Sequence, residues 1–280
     1  MIYDTLIDST ALLPRLHDPA WSVIDCRFEL VRPEAGREAY QRAHIPGAHY
    51  AHLDENLSSP ITPTSGRHPL PDISLLAQRL CEWSISNDTQ VVAYDQANGA
   101  FAARLWWLLR WLGHRKVAVL NGGLQAWLAA GYPVDAELSA PAAARFEPHP
   151  QANAWLTTDQ VQQQLATGGI TLIDARAADR FAGRNETIDP VAGHVPGARN
   201  RPFASNLDAQ QRFLPANELR QQWLEELRGK SPGQVVAMCG SGVTACHHLL
   251  ALEAAGLPGA RLYAGSWSEW IRDPARPVAT

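Results

Sequence analysis

Cys239 closes a short apolar run, Val235-Val236-Ala237-Met238, and is followed by Gly240-Ser241-Gly242-Val243-Thr244 and then Ala245-Cys246. A cysteine at a strand end, ahead of two glycines and a helix start, is placed for nucleophilic chemistry. Glycines let the backbone curl so that successive N–H groups turn inward. A helix start adds unpaired N–H donors and positive potential. Both favour the thiolate, which is the reactive form. The cradle from Gly240 to Thr244 suits a sulfur-bearing anion on the cysteine or a bound oxyanion, and Ser241 brings a hydroxyl into it. The plainer reading of Cys239 is a small hydrophobe ending a core strand. Against it, a strand-end turn needs only one glycine.

The elements that must position this loop occur twice. Residues 90–113 and 234–256 each run strand, loop, helix and glycine, with Val91 and Val235 144 residues apart. WSVIDCR at 21–27 echoes TLIDAR at 171–176, AHIPGA at 43–48 echoes GHVPGA at 193–198, and VLNGGLQAW at 119–127 echoes LYAGSWSEW at 262–270. Four matched blocks in one order indicate a duplicated domain. Between the halves lies a stretch rich in alanine and proline that lacks periodicity. The expected organisation is an N-terminal domain over residues 1–137, a linker over 138–153 and a C-terminal domain over 154–280.

In the second half, the pattern predicts a helix over 158–166 capped by Thr157 or Thr158, and a strand over 171–174. A helix follows over 217–228, then a strand over 235–238 and a helix from about 243 to 255 stopped by Gly256. A strand over 261–263 and a helix beginning at Trp267 complete it. Such alternation predicts an α/β fold, each half an open, mainly parallel sheet with helices on both faces. Sites in such folds form at the carboxyl ends of strands. In the first half the place of Cys239 is taken by Asp95, in Asp95-Gln96-Ala97-Asn98-Gly99. An aspartate cannot serve as a thiolate, so the first domain is expected to be catalytically silent.

Cys239-Gly240-Ser241-Gly242-Val243-Thr244-Ala245-Cys246 resembles the active loop of two-domain rhodaneses, and more closely that of the 3-mercaptopyruvate sulfurtransferases among them. His44-Ile45-Pro46-Gly47-Ala48 and Gly193-His194-Val195-Pro196-Gly197-Ala198 resemble a motif of that superfamily. Gly265-Ser266-Trp267-Ser268-Glu269-Trp270 resembles its C-terminal signature, and Arg104-Leu105-Trp106-Trp107 the helix of its silent domain. The resemblance implies two tandem rhodanese-like domains and a ping-pong reaction with Cys239 as the catalytic nucleophile. The thiolate takes sulfur from a donor as a persulfide and passes it to cyanide or to a thiol such as reduced thioredoxin. No cofactor and no metal are implied. Ser241 is implied as a second catalytic residue, hydrogen-bonding around the reacting sulfur. His44 is implied as a possible partner in a proton relay; a turn residue pinning its own loop is the alternative.

Arg180 matches the substrate-binding arginine of the family, and an arginine can hold a carboxylate by two parallel hydrogen bonds. The two residues after the cysteine, Gly240 and Ser241, are neutral where thiosulfate enzymes commonly carry basic ones, which favours 3-mercaptopyruvate over thiosulfate as donor. Nine residues on from Arg180, where mercaptopyruvate enzymes usually carry a second arginine, stands Asp189. Arg184 is a nearby substitute, though not at the matching position.

Other functions are less well supplied. A cysteine phosphatase needs an arginine at the sixth residue after the cysteine to clamp phosphoryl oxygens, and Ala245 is there. A non-enzymatic persulfide relay module would use the same cysteine without a small-molecule donor, which the Cys239 loop and Arg180 argue against. Cys246 reads as a packed core cysteine rather than a resolving thiol. His247 and His248 point about 100° apart on one helix and cannot share a metal comfortably; they read as helix-surface or packing residues. Trp106, Trp107 and Trp111 are expected to pack their helix on the sheet. Trp267 and Trp270 either wall the pocket or bury the last helix. Asp174 and Arg176 read as a structural ion pair beneath the cysteine loop.

The 280 residues are 46% hydrophobic and 19% charged, which suits packed globular domains. A net charge of -4 gives no electrostatic footprint for nucleic acid. No run of 18 apolar residues and no basic-then-apolar leader are seen, so no membrane partner and a cytoplasmic location are expected. The four cysteines lack C-x-x-C spacing and are expected to be free thiols.

Overall fold

The computed structural model describes residues 2–140 and 143–280. It divides into two compact units. Unit one contains Met1–Ser59, Pro71–Gln151 and Ala209–Phe213; unit two contains Pro60–Leu70, Ala152–Asp208 and Leu214–Thr280.

Unit one holds five strands: β1 (Leu6–Ile7), β2 (Trp21–Asp25), β3 (His49–Tyr50), β4 (Gln90–Tyr94) and β5 (Val117–Leu120). They pair in the order β1-β5-β4-β2-β3, every pair parallel. Unit two holds β6 (Trp155–Leu156), β7 (Thr171–Asp174), β8 (Arg199–Asn200), β9 (Val235–Met238) and β10 (Arg261–Tyr263). Their order, β6-β10-β9-β7-β8, repeats the first sheet strand for strand, again all parallel. The duplicated α/β architecture expected from the sequence is therefore present. The central strands β4 and β9 are buried along their whole length. Apart from Gln90 at the start of β4, their run of apolar residues is what a strand covered on both faces requires.

Asp95 follows β4 and leads to the helix Ala102–Trp111; Cys239 follows β9 and leads to the helix Ala245–Ala254. In register, Asp174 at the end of β7 lies opposite Met238, just as Asp25 at the end of β2 lies opposite Tyr94. Each of these aspartates clamps the arginine two residues on. Arg176 Nη2 donates to Asp174 Oδ2 at 2.8 Å and to the carbonyl of Gly193 at 2.8 Å. Arg27 Nη2 donates to Asp25 Oδ2 at 2.6 Å and to the carbonyl of Ala43 at 2.7 Å. The arginine thus fixes the backbone just before His194 in one unit and His44 in the other. A buried charge needs such pairing and hydrogen bonding, and the Asp174–Arg176 pair has the structural role expected of it.

The helix over 158–166 forms as Thr158–Ala166, and Thr157 caps it in a reciprocal capping box with Gln160. The helix expected from about residue 243 forms only from Ala245, because Gly242, at φ +77°, turns the chain first. That helix is apolar nearly all round. His247 and His248 are accordingly both buried, not on the helix surface, and they pack around the amide of Asn206. Burial pushes His248 down to about 3, with the charges of Arg201 and His247 adding to the shift. Cys246 is fully buried, and its thiol donates to the Gly242 carbonyl at 3.4 Å. Trp267 and Trp270 lie in the core of unit two with Val236, Met238 and Tyr263, which settles their two readings in favour of burying the helix Ser266–Trp270. Trp106, Trp107 and Trp111 are buried in unit one.

Within the stretch expected as a linker, residues 141 and 142 lie outside the described residues. Residues 143–151 have no regular secondary structure, yet they are fastened to unit one. Phe146 is buried, and the N–H groups of His149 and Gln151 donate to the carbonyls of Leu112 and Trp111 at 2.8 Å each.

Candidate active site

The loop after β9 is held from below by the C-terminal segment of unit two. The Cys239 N–H donates to Ser266 Oγ at 3.0 Å, and that hydroxyl donates to the Tyr263 carbonyl at 2.9 Å. The N–H groups of Trp267 and Ser268 in turn donate to the carbonyls of Cys239 and Gly240 at 3.0 and 2.8 Å. Ser266 is fully buried and holds a left-handed φ of +53°. A non-glycine residue in that region is strained, and such strain is tolerated where the surroundings over-determine it.

Gly242 brings the loop back over the cysteine. Its N–H donates to Cys239 Sγ at 3.2 Å. A Cβ there would stand 2.2 Å from the Ala264 carbonyl oxygen, so close approach as well as φ requires glycine. The N–H groups of Ser241, Val243, Thr244 and Ala245 have no acceptor among the described residues. The sulfur itself is almost fully covered, with Cys239 2% exposed. A sulfur atom with a directed N–H beside it, in a loop with further unused donors at a helix start, can bear negative charge and add to a small electrophile.

The hydroxyl of Ser241 is 2.7 Å from Nδ1 of His68, and both residues are buried. His68 was not singled out in the sequence. It lies 173 positions away in Gly66-Arg67-His68-Pro69, inside the segment Pro60–Leu70 that belongs to unit two. His44, the histidine suggested by resemblance, lies in unit one. It is fully buried and stacked on Tyr40, with ring nitrogens 2.7 Å from the Tyr40 carbonyl oxygen and 3.1 Å from that of Glu137. These are the contacts of the loop-pinning alternative. His194 repeats them in unit two, stacked on Phe181 with Nδ1 2.8 Å from the Phe181 carbonyl oxygen.

Arg180 is beside the loop, in the short helix Ala178–Phe181. Its Nε and Nη2 clamp both oxygens of Glu186 at 2.8 to 3.2 Å, and Nη2 reaches Asp189 Oδ2 at 3.2 Å. Asp189 is buried and also pairs with Nη1 of Arg67. Burial raises the pKa of Asp189 above the ordinary carboxylate value, with the charge of Arg67 opposing the rise. Burial also works to raise Glu186, but its bonds from Arg180 and from the N–H groups of Asp189 and Ile188 hold its pKa below the usual value. Arg184 is exposed and not part of this group; the arginines beside Asp189 are Arg67 and Arg180.

In unit one the corresponding loop is closed on itself. Asp95 is buried, its Oδ1 accepting from the N–H groups of Ala97 and Gly99 at 3.2 and 3.0 Å. Oδ2 accepts from Phe101 and Ala102 at 2.9 and 3.2 Å. Burial still outweighs these bonds and raises the Asp95 pKa.

Two parallel five-stranded sheets of identical order, one with a cysteine and one with an aspartate after the central strand, define a tandem α/β fold with a single cysteine loop. The chain belongs to the rhodanese-like domain family, which matches residues 9–130 and 157–273. It is 51% identical over 277 residues to a probable 3-mercaptopyruvate sulfurtransferase of Pseudomonas aeruginosa, covering 98% of each chain. It is 39% identical over 262 residues to a putative thiosulfate sulfurtransferase of Mycobacterium tuberculosis, covering 93% of this chain and 91% of that one. The solved 3-mercaptopyruvate sulfurtransferase of Leishmania major superposes with a TM-score of 0.84 at 32% identity, over 97% of this chain and 76% of that one.

Proposed function

We propose that this protein is a sulfurtransferase that moves sulfur from 3-mercaptopyruvate, through a persulfide on Cys239, to cyanide or a thiol acceptor such as thioredoxin. The thiolate attacks the donor sulfur. A sulfur–sulfur bond forms, the carbon–sulfur bond breaks, and the proton of the donor thiol ends on the carbon of the departing pyruvate. The persulfide then gives its outer sulfur to the acceptor, and the thiolate returns. The observation that carries this reading is the Gly242 N–H directed onto Cys239 Sγ in a glycine loop. The unused N–H donors of Ser241, Val243, Thr244 and Ala245 suit the longer persulfide anion. The proton that changes place in the first half-reaction gives the Ser241–His68 pair its task. Arg180 contributes a guanidinium edge for the donor's carboxylate.

Thiosulfate as donor, leaving as sulfite, is a second reading of the same persulfide chemistry, favoured by the lack of a second arginine at position 189 and by the names of several relatives. Neutral Gly240 and Ser241 favour the monoanionic mercaptopyruvate. The protein works in this reading in the reducing cytoplasm, with which four free cysteines agree. Among the described residues no helix is long and apolar enough to cross a membrane.

The deciding measurement is kcat/KM for 3-mercaptopyruvate and for thiosulfate, with cyanide as acceptor. Mercaptopyruvate is expected to lead by tenfold or more, worth about 1.4 kcal/mol in transition-state binding. A lead for thiosulfate would reverse the choice of donor and leave the persulfide in place.

A further inference from the structure

Unit one gathers a second set of chemistry-bearing side chains at the carboxyl end of its parallel sheet. Glu34 stands at the start of the helix Ala35–Arg42, which follows β2. His52 and Glu55 come just after β3, at the start of the helix Leu53–Asn56 and within it. One ligand atom from each of Glu34, His52 and Glu55 lies within 4.8 Å of the other two. Both glutamates are exposed, whereas His52 is only 2% exposed.

The histidine is held from several sides. Its ring meets those of Phe28 and Tyr50 edge-on, at centroid distances of 5.2 and 6.2 Å. Nδ1 accepts from the N–H groups of Asp54 and Glu55 at 3.2 and 3.4 Å, which caps the helix Leu53–Asn56. Nε2 is buried and has no hydrogen-bond partner among the described residues, a state rarely left unexplained in a folded protein. It faces Glu34 Oε1 across 3.6 Å. That gap is too wide for a hydrogen bond. It is close to the ligand-to-ligand edge of a zinc tetrahedron, about 3.4 Å for bonds of about 2.1 Å.

Arg37 holds the outer side of the set. Its Nε donates to Glu34 Oε2 at 3.0 Å and its Nη2 to Glu55 Oε2 at 2.6 Å. Ligating carboxylates are commonly oriented by such a partner. Two carboxylates against one guanidinium leave a negative charge for a cation to meet. The set is particular to unit one. The matched pairings of His49 with Ile24 and of Arg199 with Ile173 put Pro202 in the place of His52 and Ser205 in that of Glu55.

We infer that Glu34, His52 and Glu55 form a binding site for a divalent transition-metal ion of the zinc type, which ties the segment after β2 to the turn after β3. The inference does not depend on the persulfide reading. Imidazole nitrogen and carboxylate oxygen are zinc donors, and three such ligands leave a position for water. Because Nδ1 accepts hydrogen bonds, the neutral ring carries its proton on Nε2. Coordination by Nε2 moves that proton to Nδ1 and gives up the two long bonds from Asp54 and Glu55, with no net proton lost from the ring. The site braces the silent unit and takes no part in the chemistry of Cys239.

The test is titration calorimetry of the metal-free, reduced full chain with zinc, for wild type, Glu34→Gln, Glu55→Gln and His52→Asn. Asparagine keeps a good capping acceptor without the imidazole, so the last variant separates metal binding from the cap. Each glutamine variant is expected to weaken zinc binding about tenfold or more, at least the loss seen when a ligand loses its own hydrogen-bond partner. His52→Asn is expected to abolish it. Cobalt(II) in place of zinc is expected to give visible d–d bands without thiolate-to-metal charge transfer, which keeps this site apart from Cys239 and Cys81. The ring-nitrogen chemical shifts of His52 are expected to show the proton on Nδ1 once zinc is bound. No binding by wild type, or equal affinity in all four proteins, would overturn the inference. So would binding retained in His52→Asn, which would leave only a pair of surface carboxylates, or a thiolate charge-transfer band for the tightest-bound cobalt.

Discussion

The loops after β4 and β9 are two solutions to one backbone problem. Each follows the central strand of the same five-stranded sheet and feeds a buried helix, and each therefore gathers N–H groups that need an acceptor. In unit one, Asp95 supplies that acceptor from its own side chain and takes four of them. In unit two, Cys239 takes one, from Gly242, and leaves the rest for whatever the sulfur carries. The loop in unit one is also a residue longer: the left-handed Gly99 lies four positions after Asp95, and the left-handed Gly242 three positions after Cys239. A cradle that contains its own anion is a structural element; the same cradle with a sulfur atom and spare donors is, in the proposed function, the reactive one.

The sharpest way to break that contrast is to truncate both residues. Cys239→Ala is expected to abolish sulfur transfer from either donor while leaving the thermal midpoint nearly unchanged. Asp95→Ala is expected to do the reverse. It strands buried N–H donors at a cost of about 3 kcal/mol, seen as a lower denaturation midpoint, while the protein that remains folded turns over normally. Activity surviving the first substitution, or stability surviving the second, would erase the distinction.

A smaller effect is expected at the hydroxyl and its histidine. Ser241→Ala and His68→Gln should each lower kcat about 100-fold with little change in KM. The double variant should be no worse than either, because the two act as one unit. Additive losses would separate them.

The glycines sharpen the comparison further. A Cβ at Gly242 meets the backbone oxygen of Ala264 at 2.2 Å, whereas one at Gly99 meets the ring of Phe213 at 3.2 Å. Both positions are left-handed, which alone costs about 1–2 kcal/mol. Gly242→Ala is expected to cost well beyond that, and Gly99→Ala to stay near it, in parallel denaturation curves.

The smallest effect concerns the turn beneath each loop. Gly123 in unit one and Ser266 in unit two share a left-handed φ, +56° and +53°, and the residue after each donates to the carbonyl of Asp95 or Cys239. Only the serine also accepts the N–H of the residue above it. Ser266→Gly should therefore leave stability within about 1 kcal/mol, as relief of strain offsets a lost hydrogen bond. It should nonetheless slow kcat severalfold by loosening Cys239. Equal kcat would show that the serine serves packing alone.

Much of this was legible in the residues. Strands β7, β9 and β10 follow from short runs in the sequence, and a threonine cap at 157 or 158 marks a helix start because its chemistry is local; the structure selects Thr157. The cysteine loop was legible for the same reason. His68 and Arg67 were not, since they reach the loop from a segment more than 170 positions away, and nothing local in Gly66-Arg67-His68-Pro69 reveals which unit it will join. Asp189 misled for a related reason: its charge was plain, but its burial between two arginines is a tertiary fact. His247 and His248 lacked a polar face to betray their orientation, because the helix around them is apolar nearly all round.

The membership of Pro60–Leu70 in unit two, and of Ala209–Phe213 in unit one, bears on how such a chain can be divided. A gene split at the midpoint would part the cysteine from its histidine and from Arg67, even though each fragment would encode a complete five-stranded sheet. The duplication is visible as two modules, yet the short segments each half lends the other have made them a single heritable piece.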